Sequence, residues 1–308
     1  MASGGDACDK AAMSDSHLVF DRAVKRRQRE RAARFGDEFD FLRAAAAERL
    51  LDRLDDIRRS FPLALVQGCT AEWLQPHLKG RGGIETLVSA DMVGQGSRHV
   101  VADEEFLPFG GNRFDLVIAL LNLHWINDLP GALIQIRQAL KPDGLFLGAM
   151  FGGATLSELR QCWLAAEAEL EGGASPRVSP MAETLDGAAL LQRAGFALPV
   201  ADNEKLTVTY ADAFRLMRDL RGMGETNATA GRRRSFTRRA TLFRMAELYQ
   251  QRFAGPDGRI PATFEIVMLT GWYPHESQQK PLRPGSAKTS LAQALGTEER
   301  SRGDRPLR

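Results

Sequence analysis

The chain has 308 residues, 44% hydrophobic and 26% charged, a balance that supports a buried core and excludes collagen-like, wholly disordered and disulfide-scaffold chains. No run approaches the ~18 consecutive apolar residues of a membrane span, and the three cysteines (Cys8, Cys69 and Cys162) are too scattered for a zinc or iron–sulfur motif. The net charge of +2 is segregated: residues 22–34 carry seven basic side chains and one acid, residues 232–239 carry five arginines and no acid, and these runs of +6 and +5 leave −9 for the remainder.

The first 19 residues read as a disordered N-terminus without the apolar segment of a secretory signal, and the setting expected from this and the few cysteines is reducing and cytoplasmic. Residues 40–59 show an amphipathic helical pattern, with alanines 44–47 adding propensity. Short apolar runs then alternate with helical stretches: strand 63–66, helix 71–78, strand 86–90 ending at Asp91, strand 99–102 ending at Asp103, and strand 114–121. The last of these, FDLVIALL, is apolar on both faces, as a central parallel strand must be. A helix over 129–140, a KPDG turn at 141–144 and a strand over 145–150 complete the alternation. Beyond it come helices over 155–170, 186–194, 211–221 and 235–253, with strands over 206–210 and 261–270. The predicted fold is therefore α/β, a doubly wound, Rossmann-like sheet with additional C-terminal helices and strands.

Doubly wound sheets bind ligands beyond the carboxyl ends of their strands. Gly68, Asp91, Asp103 and Leu121 fall at those ends. Asp91 follows Gly68 by 23 residues, near the ~20 expected of an acid that grips ribose hydroxyls. Asp103 could accept from an adenine amino group or serve as a turn acid. The segment LNLHWIND offers His124 as a general base, with Asp128 as a second candidate or as the N-cap of the next helix. His124 and Asp128 lack a third metal ligand, so no metal site is expected. Both basic runs read either as solvated helix faces or as surfaces for an anionic partner.

These residues carry a resemblance. The stretches FDRAVKRRQRERAA, ADEEFLPFGGNRFDLVIALLNLHWINDLPGAL, KPDGLFLGAMFGGATLSELR, LRGMGE, PATFEIV and GWYPHESQQKPLRPGSA resemble the SAM-dependent methyltransferase superfamily, and within it the family around the mitochondrial assembly factor 5 of respiratory complex I. The resemblance runs from about Phe20 to Ala287. It implies a class I methyltransferase domain over 20–287, with a core at about 40–150, an elaboration over 151–287 and a disordered tail over 288–308. It also implies S-adenosyl-L-methionine (SAM) as cofactor, with Gly68 under its methionine part, Asp91 on the ribose, Asp103 near the adenine and Leu121 beside it.

The implied function is that of a methyltransferase-like protein acting on a protein substrate or a complex I subunit, and with no clear mitochondrial presequence the resemblance is expected to be that of a bacterial, cytoplasmic relative. The alternatives are a non-catalytic assembly factor and a protein arginine hydroxylase. Nucleic acid ranks behind these partners, since only Phe236 interleaves the basic runs; no transmembrane segment is expected, and peripheral membrane contact stays open. The family's first motif reads roughly LDLGCGxG, whereas this chain has Val66 at the acidic position and Thr70 and Glu72 at the later glycines. Both side chains are expected to crowd the ligand.

Overall fold

Asp21 starts the first helix, α1 (Arg22–Ala32): its carboxylate accepts from the Val24 amide at 3.1 Å and satisfies one of the free N–H groups of the first turn. The computed structural model describes residues 18–94 and 96–279, with Ser290, Gln293, Gly296 and Thr297 beyond them. The expectations for residues 1–17 and for nearly all of the tail lie outside the described residues. After α1 the chain turns at Gly36, at φ +58°, into α2 (Phe41–Asp52), which buries Leu42, Leu50 and Leu51. This helix stops seven residues before its predicted end, at Asp52.

The sheet comprises β1 (Leu63–Gln67), β2 (Thr86–Asp91), β3 (His99–Val101), β4 (Phe114–Leu120), β5 (Leu140–Phe151), β6 (Ala197–Tyr210) and β7 (Ile260–Trp272). The first connections are α3 (Ala71–Leu78) and α4 (Leu129–Ala139); α5 (Ser157–Glu171), α6 (Thr184–Arg193), α7 (Ala213–Gly222) and α8 (Arg239–Phe253) follow. Strand order is β3-β2-β1-β4-β5-β7-β6. The first five strands are parallel, and β7 runs antiparallel to both β5 and β6. Order reverses between β1 and β4, so the carboxyl ends of these two strands form the switch point where such sheets bind ligands.

Helices cover both faces. One core packs α2, α3, α5, α7 and α8 against the sheet through residues such as Leu50, Leu74, Leu147 and Met245; the other packs α4 and α6 through Leu133, Ile136 and Leu191. This is why β1, β4 and β5 are almost wholly buried and apolar on both sides.

Three elements differ from the sequence expectation. KPDG does not reverse the chain: Leu140 pairs with Phe114 and Leu145 with Leu116, so the four residues form an irregularity inside β5, with Asp143 at φ +63°. The predicted strand 206–210 is only the end of β6, whose earlier residues sit on the sheet's edge and alternate between half-buried and exposed. There Asp202 and Glu204 pair with Arg53 and Arg49, both at 2.6 Å. Helix α8 starts at Arg239, four residues after its predicted start.

Asp128, offered as a second candidate base or as an N-cap, is exposed and accepts from the Gly131 amide at 2.9 Å as the N-cap of α4. Asp128→Ala should therefore cost ~1 kcal/mol in chemical denaturation and leave ligand affinity unchanged.

Described residues up to Pro274 belong to one compact unit. In the second, which starts at His275, the His275 ring bonds the Ser277 hydroxyl at 2.8 Å.

Candidate functional site

Gly68 follows β1 at φ +86°, and a Cβ there would run into the carbonyl oxygen of Leu120 on the neighbouring strand. Only glycine permits this close approach of two backbones. Thr70 does not simply crowd the turn: its hydroxyl accepts from the Trp73 amide at 3.2 Å and caps α3. Glu72 occupies the first turn of α3, where a carboxylate suits the helix dipole, and its side chain lies against Gly96. Thr70 borders the hollow beside Gly68, and Glu72 is not among the residues that line it. The expectation that both side chains fill the ligand's space is thus corrected for Glu72.

The acids at the ends of β2 and β3 are already engaged, and their partners come from α1. Arg29 donates to the Gly68 carbonyl at 2.8 Å and forms an ion pair with Asp91, whose side chain is 3% exposed. Arg22 pairs with Asp103 at 2.6 Å and also with Glu104. Burial and the nearby Asp91 charge push the Glu104 carboxyl up. The first basic run therefore does not present all its charge outward. Arg22, Lys25 and Arg29 recur at i, i+3 and i+7, one face of a helix, and that face lies over the switch point.

Lys25, between the two arginines, meets a residue that sequence reasoning did not single out. Its ammonium is 3.0 Å from the Glu225 carboxylate and 3.9 Å from the centre of the Trp125 ring. Glu225 also accepts from Trp125 Nε1 at 2.7 Å and lies 3.0 Å from His124 Nε2. The Glu225 side chain is 9% exposed, yet Lys25 and His124 outweigh burial and hold its pKa at about 2. Burial lowers Lys25 to about 8.

His124 is enclosed, and both ring nitrogens are used. Nδ1 accepts from the Phe151 amide at 3.4 Å, so Nε2 carries the proton and donates to Glu225. Burial lowers its pKa despite Glu225. A neutral ring with its lone pair already spent is not poised as a general base; its role here is to orient Glu225.

Asn127, in the same segment, fastens the approach to α1: its amide oxygen accepts from the Phe20 N–H at 2.8 Å and its Nδ2 donates to the Phe20 carbonyl. Phe20 also packs edge-on against Trp125.

Gly68 and Asp91 converge on a single guanidinium, while Asp103 is served by an arginine seven residues earlier, roughly 10 Å along the helix axis. Leu121, at φ +50°, lines a small space between Arg29, Phe151 and Glu225. The hollow beside Gly68 is about 190 Å³, below the ~300–1,000 Å³ of ordinary small-molecule sites. Space for a nucleoside is taken by α1. Two buried amides, Gln67 at the end of β1 and Asn122 after β4, nevertheless have no hydrogen-bond partner among the described residues at either side-chain atom. Unspent polar groups at a switch point, beside a glycine that admits close approach, suit a polar ligand. An adenosine-type group would need Arg29 and Arg22 to move off Asp91 and Asp103 before it could use them. Among the described residues no group of three or more His, Cys, Asp and Glu is placed to hold a metal ion.

Residues 68–148 match the family model described as a methyltransferase domain, which implies SAM as the cofactor. Over 286 residues the chain is 45% identical to the mitochondrial arginine-hydroxylase NDUFAF5 of Danio rerio, covering 89% of this chain and 88% of that protein. The Homo sapiens protein of that name is 44% identical over 287 residues, covering 89% and 83%. A malonyl-[acyl-carrier protein] O-methyltransferase of Halorhodospira halophila is 34% identical over 265 residues, covering 82% and 88%. The expected bacterial cytoplasmic location is corrected by these matches: the NDUFAF5 relatives are mitochondrial proteins, and the character of a short N-terminal stretch does not outweigh likeness over nine-tenths of the chain. At this identity and mutual coverage, the chain belongs to the NDUFAF5 family of methyltransferase-fold proteins.

Proposed function

We propose that the chain binds SAM at the carboxyl ends of β1 and β2 and modifies a protein substrate during maturation of respiratory complex I. The observation that carries this reading is the switch point itself: Gly68 turns the chain tightly against β4 at the end of β1, Asp91 presents a buried carboxylate beside it, and Gln67 and Asn122 hold amides without a partner among the described residues. Asp91 would accept from the ribose hydroxyls after Arg29 lets go, Asp103 would lie toward the adenine, and Leu121 would pack beside the ligand. When bound, SAM supplies an electrophilic methyl group. The chain's part is to place a nucleophile in line with it and keep water out, and positioning of this kind accounts for much of the rate in such displacements.

Calorimetric titration with SAM and with its demethylated product tests the reading. The wild type should bind both; Gly68→Ala should abolish binding, because its Cβ drives the turn away from β4, and should also cost ~2 kcal/mol of stability through backbone strain. Asp91→Asn should weaken binding by at least ~10-fold, the value of a charge-assisted hydrogen bond. Absence of heat with either ligand would remove the proposal.

A second reading is protein arginine hydroxylation, favoured by the name that relatives at 43–45% identity carry. Intact-mass analysis of a substrate protein separates the two, since methyl transfer adds CH₂ and hydroxylation adds one oxygen atom.

A further inference from the structure

On the far side of Trp125 and Glu225 from the Gly68 hollow lies a cavity of about 600 Å³, three times the volume of that hollow. Its floor is aliphatic, aromatic and thioether: Leu156, Leu159, Trp163, Met181, Met217 and Leu220. Three uncharged polar side chains of the wall are spent on the protein itself. Trp125 Nε1 donates to Glu225, Asn227 donates to the Pro176 carbonyl at 2.6 Å, and Ser179 shares a hydrogen bond with Thr229. A peptide, base or sugar placed there would bury N–H and C=O groups without partners. An alkyl chain would not.

The cavity also has a charge. Five arginines line it (Arg177, Arg218, Arg221, Arg232 and Arg233), against the single acid Glu225, whose charge Lys25 already balances. Arg177, Arg232 and Arg233 have carboxylate partners in Glu167, Asp21 and Glu171. Arg218 reaches only the exposed Glu38, at 3.6 Å. The Arg221 side chain makes no hydrogen bond or ion pair with any described residue. Arg31, which reaches toward Thr226 on the cavity wall, is pushed down in pKa by burial and by the charge of Arg221. Two guanidinium groups that repel one another at the edge of an apolar cavity are a site for an anion.

In the arginine run 232–239, two members of which line the cavity, Phe236 is fully exposed, and Phe214 on the cavity wall is 40% exposed against the half-exposed Phe243. Exposed aromatic rings among arginines suit the interface of an anionic membrane.

We propose that this cavity binds a single-chain anionic lipid, its alkyl chain along the Leu159–Met217 floor and its headgroup between Arg221, Arg218 and Arg31. The inference goes beyond cofactor binding, and its test needs no SAM.

The full chain is titrated calorimetrically with saturated fatty acids from octanoate to myristate, each below its micelle concentration, and with the matching alcohols. The dissociation constant should fall about fourfold per added methylene until the floor is filled, and then level off. Alcohols should bind about 10-fold or more weakly than the acids, for want of a charged headgroup. Arg221→Gln should erase that preference with little change in the melting temperature, because Arg221 is exposed and makes no hydrogen bond or ion pair with any described residue. Met217→Trp, which fills the floor, should move the levelling-off to shorter chains. Lysophosphatidate binding more tightly than a fatty acid of equal chain would assign the headgroup as phosphate; the reverse would assign a carboxylate. Affinity independent of chain length, alcohols equal to acids, or displacement of myristate by a short polyglutamate peptide would overturn the proposal.

Discussion

Arg29→Met should destabilise the ligand-free chain by ~3–5 kcal/mol and, in the same variant, tighten its binding of SAM. The first effect follows from burial. Asp91 is 3% exposed, and removing its guanidinium partner strands a carboxylate in the interior. The second follows from competition: Arg29 occupies both Asp91 and the Gly68 carbonyl, so any ligand that needs those groups must first displace it. Saturating SAM should then restore much of the lost stability, because a ribose diol gives Asp91 hydrogen-bond donors again. Denaturant melts with and without SAM, together with calorimetry, measure both halves. Weaker binding by Arg29→Met would show that the arginine contacts the ligand instead of blocking it.

Glu225→Gln should cost a similar ~3–5 kcal/mol, for it leaves the Lys25 ammonium enclosed without a counter-charge. The double variant Lys25→Met/Glu225→Gln should recover most of the loss, since a buried pair replaced whole is often close to neutral. The pair also sets an acid limb. Glu225 is held at about 2 against an ordinary 4.5, so the folded state releases this proton more readily than the unfolded state. Its contribution is complete above about pH 4.5 and is lost as the pH falls toward 2. His124 acts in the same direction: burial lowers its pKa, so below about 6.5 the unfolded chain takes up a proton that the folded chain refuses. Stability of the wild type should therefore fall more steeply with acidification than that of the double variant, in urea melts at successive pH values. Parallel curves would contradict the assignment.

Much of the sheet was legible because burial on both faces writes itself into composition. LALVQ and FDLVIAL have no polar face to confuse the pattern, and both are strands within a residue of their expected limits. The edge strand β6 was legible only at its end: ALPVADNEK mixes charge and proline because one side meets water and α2 supplies salt bridges. Gly68, Asp91 and Asp103 could be found from their places after strands.

What occupies them could not be read so directly. A run of seven cations reads as solvated, and only the i, i+3, i+7 spacing of Arg22, Lys25 and Arg29 distinguishes the inward face. Glu225 carried no local signal at all. It stands alone after a glycine, in LRGMGE, and its meaning comes wholly from partners about 100 and 200 residues away.

The partners of α1 run from Gly68 through Asp91, Asp103 and Trp125 to Glu225, so the parallel strands and α7 must exist before this helix has a seat. During translation α1 leaves the ribosome ahead of every other described helix, and its cations wait in solvent until some two hundred further residues have followed. The earliest described helix to be made thus waits for residues up to Glu225 before its cations find their partners, and for that interval the nascent chain carries a free basic arm.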